Sequence, residues 1–235
     1  MWLNDEKINN VAISAYRKSL LSNCPNHIII DNLFNEAKLD NIIKALQQKH
    51  HWKTQRHTYS ALYVDDAQWK QTDNDQRFVQ RDTWQPDAHT RDTTYSNTID
   101  KNTAHDFLLF LRSEQFMALL SRIFNTTITD INVEDPEINT NYFRLGTADF
   151  VEQHADDSPG REVCMLLYLN KNWNKHAGGE LVFSGKDKPI SIAPFYNRCV
   201  LFDPSSQGSE HWVKKLNSEY SDAYRYNVTS WYWSE

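Results

Sequence analysis

Three side chains in the second half of this 235-residue chain have the types and spacing to grip a divalent cation together. In Gln153-His154-Ala155-Asp156 an extended backbone sends residues two apart to one face, so an imidazole and a carboxylate point the same way. His211, in the strand-like segment SEHWV, is the best-placed third donor. Two imidazoles and one carboxylate on one side of a metal leave positions open on the other, where reactants can bind. His-x-Asp alone is a weak signal. Such tripeptides are more often a surface His beside solvated acids, and Asp157 next door favours that reading. Arg225 strengthens the metal reading. It lies among strand formers in YRYNVTSWYW and points either to water or into a cavity, where it needs an anion. Tyr168 ends the apolar run VCMLLYL. Its hydroxyl could donate to the same anion, and its plainer reading is a core tyrosine with its tip at the rim.

The other histidines read as ordinary polar residues. His50 and His51 would end a helix, where a cation suits the dipole. His57, His89, His105 and His176 sit in polar surroundings.

The elements that must position these groups change character halfway along the chain. HIIID, His27 to Asp31, reads as a short strand. Asn35 then caps a helix whose Leu39, Ile42, Ile43 and Leu46 fall on one face. A second helix begins near Thr103, with Asp106 as capping-box partner, and Ser113 restarts it ahead of Phe116, Leu119, Leu120 and Ile123. From about Asn139 the segments NTNYFRL, VCMLLYL, GELVF, PISIA, RCVLFD, EHWV and YRYNVTSWYW are short, β-rich and separated by turn residues. Many short strands in succession predict a sandwich or jelly roll, with the N-terminal helices against one outer face. The stretch from Thr54 to Asn102 is polar and shows no clean period. It reads as an irregular surface excursion with one or two edge strands, or as a lid or substrate-binding segment.

Composition bounds the function. A formal charge of −6 offers no broad basic field, which disfavours sequence-independent nucleic-acid binding. The start, MWLNDEKINN, lacks the apolar core of a signal peptide, and the longest apolar run, Val163 to Leu169, is far too short to span a bilayer. Cys24, Cys164 and Cys199 show no metal-type spacing. Their odd number fits reduced thiols in a cytoplasm, with Cys164 and Cys199 as small core residues.

In order, His154-x-Asp156, GREVCMLLYLNKNW, GGELVF, His211 and Arg225 resemble the catalytic core of the Fe(II)/2-oxoglutarate dioxygenases, prolyl hydroxylase-like branch. The YLN-x-x-W and GGEL elements carry the likeness beyond the triad, and HIIIDNLFNEAKL is similar to the strand and helix that often precede that core. The resemblance spans Tyr142 to Trp233. It implies an α+β, mainly β fold: a double-stranded β-helix (jelly-roll) core in residues 139–235. Residues 1–138 would supply a strand, helices and a possible lid within one domain. It implies Fe(II) on His154, Asp156 and His211. Arg225 and Tyr168 would bind 2-oxoglutarate, with Thr229 and Trp231 lining the same pocket, and Arg161 would face substrate. The branch often has a Tyr about ten residues before the first His. Here Arg144 stands there with Tyr142 two earlier, and both are candidate substrate residues.

The resemblance further implies hydroxylation of an unactivated C–H with dioxygen, 2-oxoglutarate leaving as succinate and carbon dioxide, and ascorbate as a possible reductant. A protein or peptide side chain such as proline is the leading acceptor, and a free amino acid or small metabolite is the alternative. Halogenating relatives carry a small residue where Asp156 stands, so the carboxylate favours hydroxylation. Desaturation or ring closure would use the same ligands. Nucleic-acid dealkylases usually have a second Arg six residues past the first, where this chain has Trp231. A non-enzymatic jelly-roll binding module is the reading from another class.

Overall fold

The computed structural model describes residues 1–48, 51–85, 98–129, 139–220 and 224–234. The chain begins with two short helices, α1 (Asp5–Ile8) and α2 (Asn10–Ser22), followed by β1 (His27–Asp31) and α3 (Glu36–Leu46). Next come β2 (Trp52–Thr58), α4 (Asp66–Gln71), β3 (Arg77–Trp84), α5 (Thr98–Leu111) and α6 (Glu114–Phe124). Eight strands then follow: β4 (Thr140–Leu145), β5 (Phe150–His154), β6 (Arg161–Tyr168), β7 (Leu181–Phe183), β8 (Ile190–Ile192), β9 (Arg198–Phe202), β10 (His211–Val213) and β11 (Arg225–Trp233).

Pairing makes these eight a jelly roll. One antiparallel run is β9-β6-β11-β4 and the other is β5-β10-β7-β8. Strand β3 pairs with both β4 and β5 and so links the runs, while β1 extends the first beyond β9. Side chains alternate across the pleat. Val163, Met165 and Leu167 of β6, with Val228 and Tyr232 of β11, join the core that the helices cover. Cys164, Leu166 and Tyr168 point the other way and pack with Leu181, Phe183, Val200 and Phe202 between the two runs. Helical side chains such as Leu39, Ile42, Phe107, Phe116 and Leu120 complete the outer core.

Local signals set the helix ends. Asn35 accepts from the Lys38 backbone N–H and Ser113 from that of Phe116, as their types predict. Helix α5 starts at Thr98, five residues before the expected Thr103, so the Thr103–Asp106 pair lies inside the helix and does not cap it.

The polar Thr54–Asn102 stretch differs from the expected excursion. β2 and β3 pair from Trp52↔Trp84 to Thr58↔Arg77, and β3 is an interior strand rather than an edge. No period shows because the polar side chains of β3 are matched on both faces. Asp82 meets Arg144 on one side at 2.9 Å, and Arg81 and Thr83 line the barrel on the other. Residues 86–97, including His89, lie outside the described residues, so the lid reading does too. His51 is 2% exposed, in a 3-10 turn just before β2. His50 lies outside the described residues.

Candidate metal centre and anion pocket

His154 closes β5 and His211 opens β10, and the two are cross-strand partners. That register puts their rings 4.4 Å apart between centroids. Asp156 follows two residues after the strand. Its Oδ1 lies 3.8 Å from His154 Nε2 and its Oδ2 lies 3.7 Å from His211 Nε2. One donor atom from each residue falls within 4.8 Å of the others.

The tautomers fit a cation. His154 Nδ1 lies 2.9 Å from the Glu152 carbonyl and His211 Nδ1 lies 3.0 Å from that of Ser209. A carbonyl only accepts, so Nδ1 carries the proton and the Nε2 lone pair is left facing the carboxylate. Burial, with His154 next, pushes the His211 pKa down to about 4, so its imidazole is neutral near pH 7. Burial works against the Asp156 charge, but the two imidazoles, the Trp231 N–H and Arg161 outweigh it and hold the carboxyl below its usual range. Three lone pairs converging at one point repel unless a positive ion sits between them. The donor set therefore suits a divalent metal of the iron type.

Arg225 and Tyr168 form a candidate anion site in the same β core. Arg225 opens β11 facing inward and is 1% exposed. Its Nε donates to the Gly179 carbonyl at 2.7 Å and its Nη1 to Asn227 Oδ1 at 2.7 Å. Asn227 Nδ2 continues to Thr229 Oγ1 at 2.9 Å. Arg225 Nη2 and the Tyr168 hydroxyl are both buried without a hydrogen bond. The guanidinium lies 4.9 Å over the Tyr168 ring. Burial raises the Tyr168 pKa, so the phenol stays a donor. Two buried donors beside an apolar cluster need an acceptor, and a carboxylate satisfies both.

The glycine-rich and asparagine-containing motifs build this pocket. Gly179 adopts φ +76°, and a Cβ there would lie 3.1 Å from Trp173 and 3.2 Å from Arg225 Cδ. Asn170 accepts from the Tyr226 N–H at 2.7 Å and donates to the Pro194 carbonyl at 2.9 Å, fixing β11 where Arg225 begins.

The remaining candidates divide. Trp231 reaches the centre directly, its Nε1 donating to Asp156 Oδ2 at 2.8 Å. Thr229 lies on the same inner face. Arg161 donates to the Asp156 carbonyl and covers Trp233, with its guanidinium carbon 4.9 Å from the ring. Tyr142 and Arg144 are not brought to the site. They alternate with inward-facing Phe143, so Tyr142 donates to the Ala104 carbonyl of α5 at 2.7 Å and Arg144 pairs with Asp82.

Three neighbours were not singled out from sequence. Cys164 Sγ lies 3.7 Å from Asp156 Oδ2. His57, read as an ordinary polar residue, is 6% exposed with neither ring nitrogen bonded, and packs on Tyr63 and Phe78. Phe78 in turn lies 5.7 Å from the His154 ring. Arg81 stacks on Phe143 at 3.6 Å. The inward alternation of β3 was the available signal for Arg81, hidden by the polarity of that strand.

Comparison with known proteins agrees with this geometry. Residues 140–233 match the family model of the 2OG-Fe(II) oxygenase superfamily. Prolyl 3-hydroxylase OGFOD1 of Mus musculus is 28% identical over 130 residues, 52% of this chain but 22% of that protein. The chain therefore spans under a quarter of the length of that relative. A 2OG-Fe(II) oxygenase family oxidoreductase from Burkholderia pseudomallei superposes with TM-score 0.60 at 14% identity, covering 97% of this chain and 93% of that one. A prolyl hydroxylase from Trichoplax adhaerens, in complex with a hypoxia inducible factor oxygen degradation domain peptide fragment, gives 0.58 at 19% identity, covering 98% and 96%. The likeness of these two structures is one of fold. Among the described residues no helix is long and apolar enough to cross a membrane.

Proposed function

We propose that this chain, which carries a prolyl hydroxylase-like 2OG-Fe(II) oxygenase core in residues 140–233, hydroxylates an unactivated C–H of a protein or peptide side chain, proline foremost. The observation that carries the reading is that two sets of unsatisfied groups flank one buried cluster, with Tyr168 in it and His211 packed on its Phe183 and Phe202. One is a three-donor metal grip, and the other is a buried Arg–Tyr pair whose Nη2 and hydroxyl make no hydrogen bond.

In this reading His154, Asp156 and His211 hold Fe(II), and Arg225 and Tyr168 hold the far carboxylate of 2-oxoglutarate. Iron, 2-oxoglutarate and dioxygen together supply the oxidation of the C–H bond, with succinate and carbon dioxide as co-products. The Glu152 and Ser209 carbonyls keep both imidazole donors aimed and deprotonated at Nε2. Trp231 fixes one oxygen of Asp156. The Gly179 carbonyl and Asn227 set the Arg225 fork so that Nη2 faces the cavity. Leu166, Phe183, Val200 and Phe202 keep water from the buried pair. Arg161, beside Asp156 at the rim, faces the acceptor. Three free cysteines fit a cytoplasmic site of action.

The test is succinate release from 2-oxoglutarate with Fe(II) and ascorbate, on a cell extract split by molecular size, with His154→Ala subtracting background. Stimulation by the macromolecular fraction supports a protein hydroxylase, and prolyl peptides come next. Stimulation by the small-molecule fraction alone makes the acceptor a free amino acid or metabolite. No succinate from any fraction overturns the oxygenase reading.

A further inference from the structure

Near Asp156 stands a second cation, besides Arg161, that the metal and co-substrate do not use. Arg81 extends from the interior strand β3. Phe143 covers one face of its guanidinium at 3.6 Å, and Gln55 Oε1 accepts from its Nε at 3.0 Å. Those two contacts fix the plane and direction of the fork, and its two terminal nitrogens make no hydrogen bond within the described residues. The group is close enough to feel both Asp156 and Arg225, and burial pushes its pKa down to about 10, where it is still charged at neutral pH. Beside it, His57 is 6% exposed with neither ring nitrogen bonded. Tyr63, packed on His57 at 4.9 Å, and Tyr59 form the exposed lip. Tyr59 is tied by its hydroxyl to the Gln153 carbonyl at 3.2 Å, one residue before His154.

Charge counting shows what is missing. A divalent cation, the Asp156 carboxylate, the dicarboxylate co-substrate and the Arg225 guanidinium sum to zero formal charge, and Glu180, close enough to act on Arg225, offsets Arg161. Arg81 is left over, in a partly desolvated place where an unpaired cation is costly. Arg161 at least has Asp156 beside it, at 3.8 Å, and the faces of two tryptophans. Arg81 has only the Phe143 ring and one neutral amide.

We propose that Arg81 determines acceptor specificity by pairing with a carboxylate that the acceptor carries a few bonds from the carbon oxidised. The inference rests on the oxygenase reading above and adds the charge of its substrate. The carboxylate has two sources: an acidic residue flanking the target in a polypeptide, or the α-carboxylate of a free amino acid. His57, uncharged at neutral pH, offers the same acceptor a neutral hydrogen bond.

The experiment measures binding without turnover, under anaerobic conditions with Fe(II) and 2-oxoglutarate. The probes are capped proline-containing hexapeptides with Asp or Asn beside the proline, and free L-proline beside prolinamide. A charge-assisted pair predicts roughly tenfold or greater preference for the acid within one pair. That preference falls to near one in Arg81→Met and is partly kept in Arg81→Lys. Preference in the peptide pair identifies an acidic flank; preference in the proline pair identifies a free amino acid. The inference is overturned if no acidic probe binds, if the wild type does not discriminate, or if discrimination survives in Arg81→Met. Binding of 2-oxoglutarate to the wild-type protein is measured on the same sample. Its absence defeats the oxygenase reading itself, whereas its presence without acid preference defeats only the role of Arg81.

Discussion

Trp231 Nε1 donates to Asp156 Oδ2 across 2.8 Å, so the inner face of β11 holds a residue of the loop after β5. The bond matters because Asp156 lies beyond the end of its strand, and no ladder hydrogen bond fixes it. Trp231→Phe keeps most of the ring and removes the donor. Outer-shell partners of this kind typically change metal affinity about 10- to 100-fold. An anaerobic Fe(II) titration of the variant should show a loss in that range. An unchanged Kd would remove Trp231 from the centre.

Gly179 tests the pocket through the backbone. Alanine at φ +76° costs roughly 1–2 kcal/mol, and its Cβ meets Trp173 and the Arg225 side chain. Gly179→Ala should therefore weaken 2-oxoglutarate binding by about tenfold, the scale of one charged hydrogen bond. Metal affinity should change far less, because the atoms nearest the added Cβ belong to Trp173, Arg225 and Leu216 and not to the triad. Calorimetry with each ligand separates the two. Equal losses would mean that the variant disturbs the whole barrel.

The strands of the C-terminal half were legible in sequence because a buried sheet imposes period two. His154, His211, Arg225 and Tyr168 each sit at one end of a strand. The helix caps at Asn35 and Ser113 were legible for a similar reason, since cap chemistry is local. β3 was not. Its polar side chains are matched by residues far away in sequence, Asp82 by Arg144 and Thr83 by Asn141. Arg81 was lost with it, and His57 with the partner strand β2. Tyr142 and Arg144 were misplaced because placing them needs the phase of β4. That phase is set by Phe143 facing inward, which no local pattern reports.

Tyr142 offers a check on that phase. Its hydroxyl donates to the Ala104 carbonyl in a fully buried contact that ties β4 to α5. Tyr142→Phe strands the carbonyl and should cost about 1–3 kcal/mol, read as a lower urea midpoint. The KM for 2-oxoglutarate and for acceptor should stay within about twofold, since Tyr142 packs in the helix-side core and shares no partner with the triad or Arg225. A large KM change at unaltered stability would return Tyr142 to the mouth.

His57 links the mouth to pH. Burial first, then Arg81 and His154, push its pKa from 6.5 to about 4. In the unfolded chain the same imidazole takes a proton as pH falls through about 6.5. Between those values the unfolded state binds the extra proton, so folding stability rises with pH across the window and is lost as pH drops from 6.5 toward 4. Below about 4 both states are protonated and this contribution levels off. His211, pushed down to about 4 mainly by burial, acts with the same sign in the metal-free protein. His57→Leu keeps an apolar group against Tyr63 and Phe78 and removes one titrating site. Urea midpoints of the metal-free variant, measured from pH 7 to pH 4, should fall less steeply than those of the wild type, by the equivalent of one proton. Parallel curves would show that His57 already carries its proton, or an unrecognised partner, in the folded state.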